Sequence, residues 1–224
     1  MRVMYIDASA GAAGDMLLAG LVNLGWPQEE LKKLPERLGL HHIEISIKTV
    51  ERQTVRGNAL IINAPHEHHH RHLKDIQEII HRADIPNPAK DLAQKVFRCL
   101  AEAEAKAHGV ELEEIHFHEV GAIDSIIDIV GVCSAVTALA PQRIICSPLC
   151  VGKGSVLCAH GEMPVPAPAT AELIKGIPVF SGPLQGEWTT PTGAALLKTI
   201  ADEFGDMPLM TVRSIGVGAG TADP

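Results

Sequence analysis

Two groups of histidines define the chemistry open to this sequence. Five of the seven residues from 66 to 72 are histidines, in the run His66-Glu67-His68-His69-His70-Arg71-His72, and a second group, His116-Phe117-His118-Glu119, follows. Neutral imidazole ligates nickel, zinc, copper and iron, so this density points to a borderline transition metal without naming one. The competing reading of the run is a solvated polar loop. An affinity tag is disfavoured, because the run is internal and is broken by Glu67 and Arg71. His66-Glu67-His68-His69-His70 also matches the H-E-x-x-H pattern of zinc peptidases. That motif needs an amphipathic helix with both histidines on one face, whereas Pro65 and the uniform polarity predict a loop or a helix start. A loop of this kind suits metal capture and delivery.

The second group is richer. If residues 115–118 are extended, His116 and His118 face the same side, and if a helix starts near Ala122, Asp124 and Asp128 share a face at i, i+4 spacing. Two imidazoles with Glu119 and these acids could bind a divalent cation or do general acid/base work. The alternative is that Asp124 caps the helix and His118 is a satisfied core histidine. Asp128 resists that alternative: it lies one turn inside an almost wholly apolar helix, where an unpaired carboxylate is costly. A third candidate is the loop Asp7-Ala8-Ser9-Ala10-Gly11-Ala12-Ala13-Gly14-Asp15, between a strand and a helix. Its amides and the helix dipole could cradle a phosphate, although it fits neither a P-loop nor G-x-G-x-x-G. Gly152-Lys153-Gly154-Ser155 reads as a turn, and His160 as a solvated loop histidine that could join the same site. The five cysteines, Cys99, Cys133, Cys146, Cys150 and Cys158, form an odd, scattered set that reads as thiols, mostly buried, rather than a disulfide framework.

The frame for these groups is an α/β layer arrangement with a mixed sheet. Val3 to Ile6 reads as a strand and Met16 to Leu24 as a helix stopped by Gly25. Pro27 starts a second helix that falters near Pro35 and Gly39. From Ile43 to Ile62 the apolar residues alternate, and Arg56-Gly57-Asn58 signals the turn of an antiparallel hairpin over 43–62. Leu73, Ile76, Ile79 and Ile80 have helical spacing. Asn87, Pro88 and Gly109 bracket a helix over 88–108 with Leu92, Val96, Cys99 and Leu100 on its buried stripe. The helix from about Ser125 to Leu139 is apolar nearly all round and should be central. Ile144-Ile145-Cys146 is a strand candidate. Ser147 to Pro168 reads as a long ordered loop or an internal boundary, and Thr190-Pro191-Thr192-Gly193 opens a last helix to about Glu203.

At 224 residues and 46% apolar content the chain can bury a real core. A net charge of −8 and only seven aromatic residues (two Trp, one Tyr, four Phe) argue against nucleic acid and anionic membranes as partners. No apolar run reaches the roughly 18 residues of a bilayer span, and Asp7 interrupts the place of a signal peptide, so the setting reads as cytoplasmic.

Several segments together resemble the LarC-type nickel-insertion proteins of nickel-pincer cofactor biosynthesis. They are Asp7-x3-Gly11-x2-Gly14-Asp15-Met16, the run from His66, His116 to Asp124, His160 to Thr170, Thr190 to Ala195, and Gly216-x-Gly218-Ala219-Gly220. The resemblance implies a chelatase that inserts nickel into a pyridinium mononucleotide carrying two thiocarboxylates, in the maturation of lactate racemase, with CTP consumed. On it we expect nickel capture at His66, His68, His69 and His70. Metallation is expected at His116, His118 and Glu119, with Asp124 as a metal ligand and Asp128 as a catalytic or orienting acid. The loop residues Asp7, Gly11, Gly14 and Asp15 are expected to anchor the substrate phosphate. Family members usually continue beyond a segment like Gly216 to Gly220, so the chain is expected to be an N-terminal region, with CTP and its Mg or Mn requiring the missing part. A homo-oligomer is open. Two other readings compete: a non-catalytic nickel carrier or store using the His66–His72 run, and a zinc hydrolase using the H-E-x-x-H match.

Overall fold

In the structure, a computed structural model that describes residues 1–52, 54–65, 71–117, 122–158, 161–183 and 185–220, the chain opens with β1 (Val3–Ile6), α1 (Gly14–Leu24), α2 (Gln28–Lys32) and α3 (Leu34–Arg37). There follow β2 (Glu44–Arg52), β3 (Val55–Asn63), β4 (Arg71–His72), α4 (Leu73–Arg82), α5 (Asn87–His108), β5 (His116–Phe117), α6 (Ile123–Leu139) and β6 (Arg143–Cys146). The last third holds β7 (Leu149–Cys150), β8 (Gly152–Lys153), β9 (Ser155–Cys158), β10 (Gly161–Pro164), α7 (Pro168–Leu173), β11 (Val179–Phe180), β12 (Gly186–Glu187), α8 (Pro191–Ile200) and β13 (Glu203–Phe204). The fold is mixed α/β, as expected. Two compact units divide it: one of Met1–Ala13, Lys95–Ile115 and Pro141–Thr211, the other of Gly14–Gln94, His116–Ala140 and Val212–Pro224.

In the first unit β1, β6 and β13 form a parallel sheet with β6 in the middle. Its centre is the apolar run predicted as a strand: Ile144, Ile145 and Cys146 are all buried. The segment from Ser147 to Pro168 is more regular than the sequence suggests. β9 and β10 pair antiparallel, while β7 and β8 pair with β11 and β12. The two-residue strands β7 and β8 have partners some thirty residues away and carry no periodicity to read, whereas β9 and β10 form a local hairpin inside the Gly/Pro-rich stretch. The Thr190 side chain accepts the Gly193 N–H at 3.2 Å with Pro191 in the first turn, so α8 starts where its cap and proline indicate. It stops at Ile200 rather than Glu203, because Glu203–Phe204 is recruited as a sheet strand.

The second unit is built on the contact between α1 and α6, with α1 also packing on β3. Residues 126–133 of α6 are buried on every face, which agrees with its all-round apolar sequence. Full burial of each of its Ile side chains contributes about 1.5–3 kcal/mol. The hairpin is present, with Ile45 opposite Ile62 and Ile47 opposite Leu60. Its turn, however, is not at Arg56-Gly57-Asn58. The strands run on to Arg52 and Val55, and Thr54 in the turn takes a left-handed φ of 72°. Gly57 and Asn58 lie inside β3 for another reason: a third segment docks there. Asn58 N–H donates to Val217 O and Ala219 N–H to Asn58 O, both at 2.8 Å, and Val217 N–H donates to Asn23 Oδ1 at 2.9 Å. A Cβ on Gly57 would stand 2.9 Å from Val217 Cγ1, and one on Gly218 would overlap the Met16 carbonyl oxygen of α1. The glycine signals close approach of backbone, not a turn.

The Gly218→Ala variant should therefore lose about 1–3 kcal/mol of stability, since Met16 O is backbone and cannot swing aside. Gly205→Ala, where a Cβ meets nothing within 4 Å, should leave the urea midpoint unchanged. Equal midpoints for the two variants would show that the 216–220 segment does not dock on α1.

Candidate functional site

The start of α1 and the first turns of α6 bring together three acids that the sequence places far apart. Gly14 opens α1 directly against Asp128: a Cβ on Gly14 would lie 2.7 Å from both Asp128 Cβ and Asp128 Oδ2. Only glycine allows α1 to start this close, and Asp15 is thereby set beside the same carboxyl. Asp124, one turn earlier on α6, is exposed, and its Oδ1 accepts the Ser125 N–H at 2.9 Å. It does not cap the helix, whose N-cap is Ala122.

Asp128 is only 9% exposed, and among the described residues its Oδ1 has no hydrogen-bond partner. Burial, then the charges of Asp15 and Asp124, push its pKa well above the usual carboxylate range, and the nearby Asp15 backbone N–H offsets only part of this. Asp15 is raised as well, by burial first, with its own Oδ1 accepting the Met16 N–H at 2.8 Å. The shift favours the protonated, uncharged form of Asp128, which can donate a hydrogen bond. Among the described residues no three His, Cys, Asp or Glu side chains gather closely enough to hold a metal ion.

Of the histidines, His66, His68, His69 and His70 lie outside the described residues, as do His118 and Glu119. His116 is placed by its backbone: β4 pairs antiparallel with β5, Arg71 opposite Phe117 and His72 opposite His116. The extended conformation expected at 116 is thus present, and the last residue of the histidine run is clamped to the second histidine group. Sequence reasoning missed this pairing, because two-residue strands leave no pattern. His72 also begins α4, its N–H donating to Asp75 Oδ2 at 2.8 Å, the one usable signal at this junction.

The loop ahead of α1 belongs to two units. In the first, Asp7 Oδ1 accepts the Ser9 N–H at 2.9 Å, the Gly11 N–H donates to Ala8 O at 3.0 Å and the Ala12 N–H to Trp188 O at 2.9 Å. Gly11 has a left-handed φ of 93°, and a Cβ there would overlap the Trp188 carbonyl. In the second unit Gly14 and Asp15 sit at the acid cluster. Cys146 is buried, and burial with the charge of Asp7 pushes its thiol up to about 12, so it keeps its proton; Cys133 and Cys150 are buried too.

The family description "nickel insertion protein" matches residues 4–224. The chain belongs to the nickel insertion protein family. Among its relatives are the pyridinium-3,5-bisthiocarboxylic acid mononucleotide nickel insertion proteins of Staphylococcus epidermidis and Desulfitobacterium hafniense. The first is 43% identical over 99% of this chain and 56% of its own length, the second 44% identical over 100% and 56%. A Geotalea daltonii relative is 46% identical over 100% of the chain and 58% of its own length. The chain thus spans a little over half the length of these curated relatives. No solved structure matches it. The resemblance read from the motifs is borne out across the chain.

In this nickel insertion family member the raised pKa of Asp128 has a sign that can be tested. The folded chain holds the Asp128 proton to a higher pH than the unfolded chain, whose ordinary value is 3.8. The folded state then binds more protons above that value, so stability falls as pH rises through the gap up to the folded pKa. Asp128→Asn removes this penalty. With metal chelated, it should melt above the native chain at pH 7, by a gap that closes toward pH 4. A variant that melts below the native chain at pH 7 would mean the carboxylate is stabilised by a partner.

Proposed function

We propose that this chain is the metal-handling portion of a chelatase that inserts nickel into pyridinium-3,5-bisthiocarboxylic acid mononucleotide, making the nickel-pincer nucleotide of lactate racemase. The observation that carries the reading is the pair of relatives whose names specify this reaction and which match nearly every residue of the chain. The reaction joins nickel to two thiocarboxylate sulfurs and to a ring carbon. The C–H bond breaks, its electron pair becomes the nickel–carbon bond, and the proton passes to a base. Three tasks follow: delivery of nickel, removal of the proton and anchoring of the substrate.

Delivery falls to His66, His68, His69 and His70, and metallation to His116, His118 and Glu119. The pairing of His72 with His116 supports a path between them, since it ties the end of the run to the metallation segment. A neutral imidazole or the Glu119 carboxylate takes the proton. Asp128, whose burial favours its protonated form, is assigned to donate a hydrogen bond and orient a neighbour; Asp124, exposed, is assigned as a ligand. The Asp7 to Asp15 loop is assigned to the substrate phosphate. The Gly11 amide is already given to Ala8, so the start of α1 at Gly14 and Asp15 carries more of the anchoring. Burial favours the uncharged form of Asp128, which lessens the repulsion of a phosphate there.

CTP, with Mg or Mn, is assigned to the portion of the relatives that this chain does not span. No helix among the described residues is long and apolar enough to cross a membrane. We assign the protein to the cytoplasm, where lactate racemase maturation supplies its partners.

Calorimetric nickel titration separates the chelatase from a simple carrier. Replacing residues 66–70 with a Gly/Ser segment of equal length should remove most bound nickel but leave a site that His116→Ala/His118→Ala abolishes. A chain left with no nickel site after the first replacement is a carrier. An unchanged titration of the double variant would sink the assignment of His116 and His118.

A further inference from the structure

Trp188 is one of two tryptophans in the chain, and unlike Trp26, which is buried, it is only half-buried, in the first unit. Its ring is pinned: Nε1–H donates to Gln185 O at 3.1 Å, and a Cβ on Gly152 would stand 2.7 Å from its Cδ1. Its backbone also holds the Asp7 to Asp15 loop, since its carbonyl accepts the Ala12 N–H at 2.9 Å and leaves no room for a Cβ on Gly11. Beside it β8 and β12 form a ribbon in which Lys153 pairs with Gly186 and Gly152 with Glu187. The Trp188 N–H extends that ladder to Val151 O at 3.2 Å. Trp188 is thus the diagonal neighbour of Lys153, roughly 7–8 Å away and within reach of a long side chain. A Cβ on Gly186 would meet nothing within 4 Å, so the place directly opposite Lys153 is open. Lys153 is half-buried, and among the described residues it forms no ion pair. An indole held by its own N–H is pre-organised for stacking, and the cation beside it is uncompensated.

We propose that Trp188 and Lys153 form the ring subsite for the mononucleotide: the indole stacks on the pyridinium ring, and the Lys153 ammonium pairs with an anionic group that the ring carries. An electron-poor, cationic ring is attracted to the electron-rich indole face, and indole holds a cation better than the other aromatic side chains. A thiocarboxylate on the stacked ring lies beside the indole, where a lysine at the diagonal strand position meets it. The phosphate, a ribose further off, falls toward the Gly11 side, where the Ala12 N–H is bonded to Trp188 O. This rests on the reading that the substrate is a pyridinium mononucleotide, and adds to it the residues that select the ring.

The probe is nicotinate mononucleotide, which carries a pyridinium ring, one carboxylate and a phosphate. It is titrated into the full 224-residue chain and followed by calorimetry and by the resonances of the two indole N–H groups. The Trp188 signal should shift and the Trp26 signal should stay. Trp188→Leu should weaken binding by about tenfold or more. Lys153→Gln should erase a preference of the native chain for nicotinate over nicotinamide mononucleotide, whose ring carries an amide in place of the carboxylate. Binding that leaves the Trp188 signal unmoved, a readout that needs no variant, or that Trp188→Leu does not weaken, overturns the ring subsite while the mononucleotide reading stands. A native chain without that preference, or a preference kept in Lys153→Gln, overturns the part given to Lys153. A native chain that binds neither mononucleotide overturns both the subsite and the reading. Unchanged positions of the remaining resonances show that each variant is folded.

Discussion

The close crossing of α1 on α6 governs the second unit, and a missing side chain makes it possible. Gly14 leaves room for Asp128, and Gly131, further along α6, leaves room for Leu18, whose Cδ2 would lie 2.6 Å from an added Cβ. With α6 drawn in, its apolar faces are covered and α1 presents its other side to β3 and to the segment at Val217. The same crossing takes a carboxyl out of water. A helix so apolar gains from burial at almost every position, and Asp128 is carried in with the rest.

That cost is the clue to function. A buried carboxyl can be kept by pairing it with a cation, by satisfying it with donors, or by leaving it protonated. Asp128 is pushed toward the third: Oδ1 lacks a partner among the described residues, and its neighbours are acids. Such a group can donate a hydrogen bond where a charged carboxylate could not. In our reading, a site that must bind a divalent cation and a phosphate-bearing substrate gains from an acid that is present without its charge. Burial holds Cys146 protonated, and Cys133 is likewise enclosed.

Much of this was legible in the sequence where a pattern was long. The hairpin, α5, α6 and the cap of α8 all follow from periodicity or from cap residues, and the unusual place of Asp128 was visible as a polar residue in an apolar helix. Two-residue strands were not legible, because two residues have no period; this hid the pairing of His72 with His116 and the strands β7 and β8, while the glycines and prolines around β9 and β10 masked that hairpin. Gly57 misled because a glycine marks close approach as often as a turn, and its partner, Val217, lies in a remote part of the chain. The stripe of α5 is turned slightly from the one read, with Ala93, Val96, Phe97 and Leu100 buried and Leu92 and Cys99 half-buried. Contacts between remote residues, Asp15 with Asp128 above all, cannot be read from spacing.

The most direct measurement is diffraction at the nickel absorption edge from crystals of the nickel-loaded chain, which locates the metal without reference to any assumed ligand. The account predicts an anomalous peak at bonding distance from the imidazole of His116 or His118, near the first turn of α6. Peaks confined to the histidine run, with none beside residues 116–119, would contradict it.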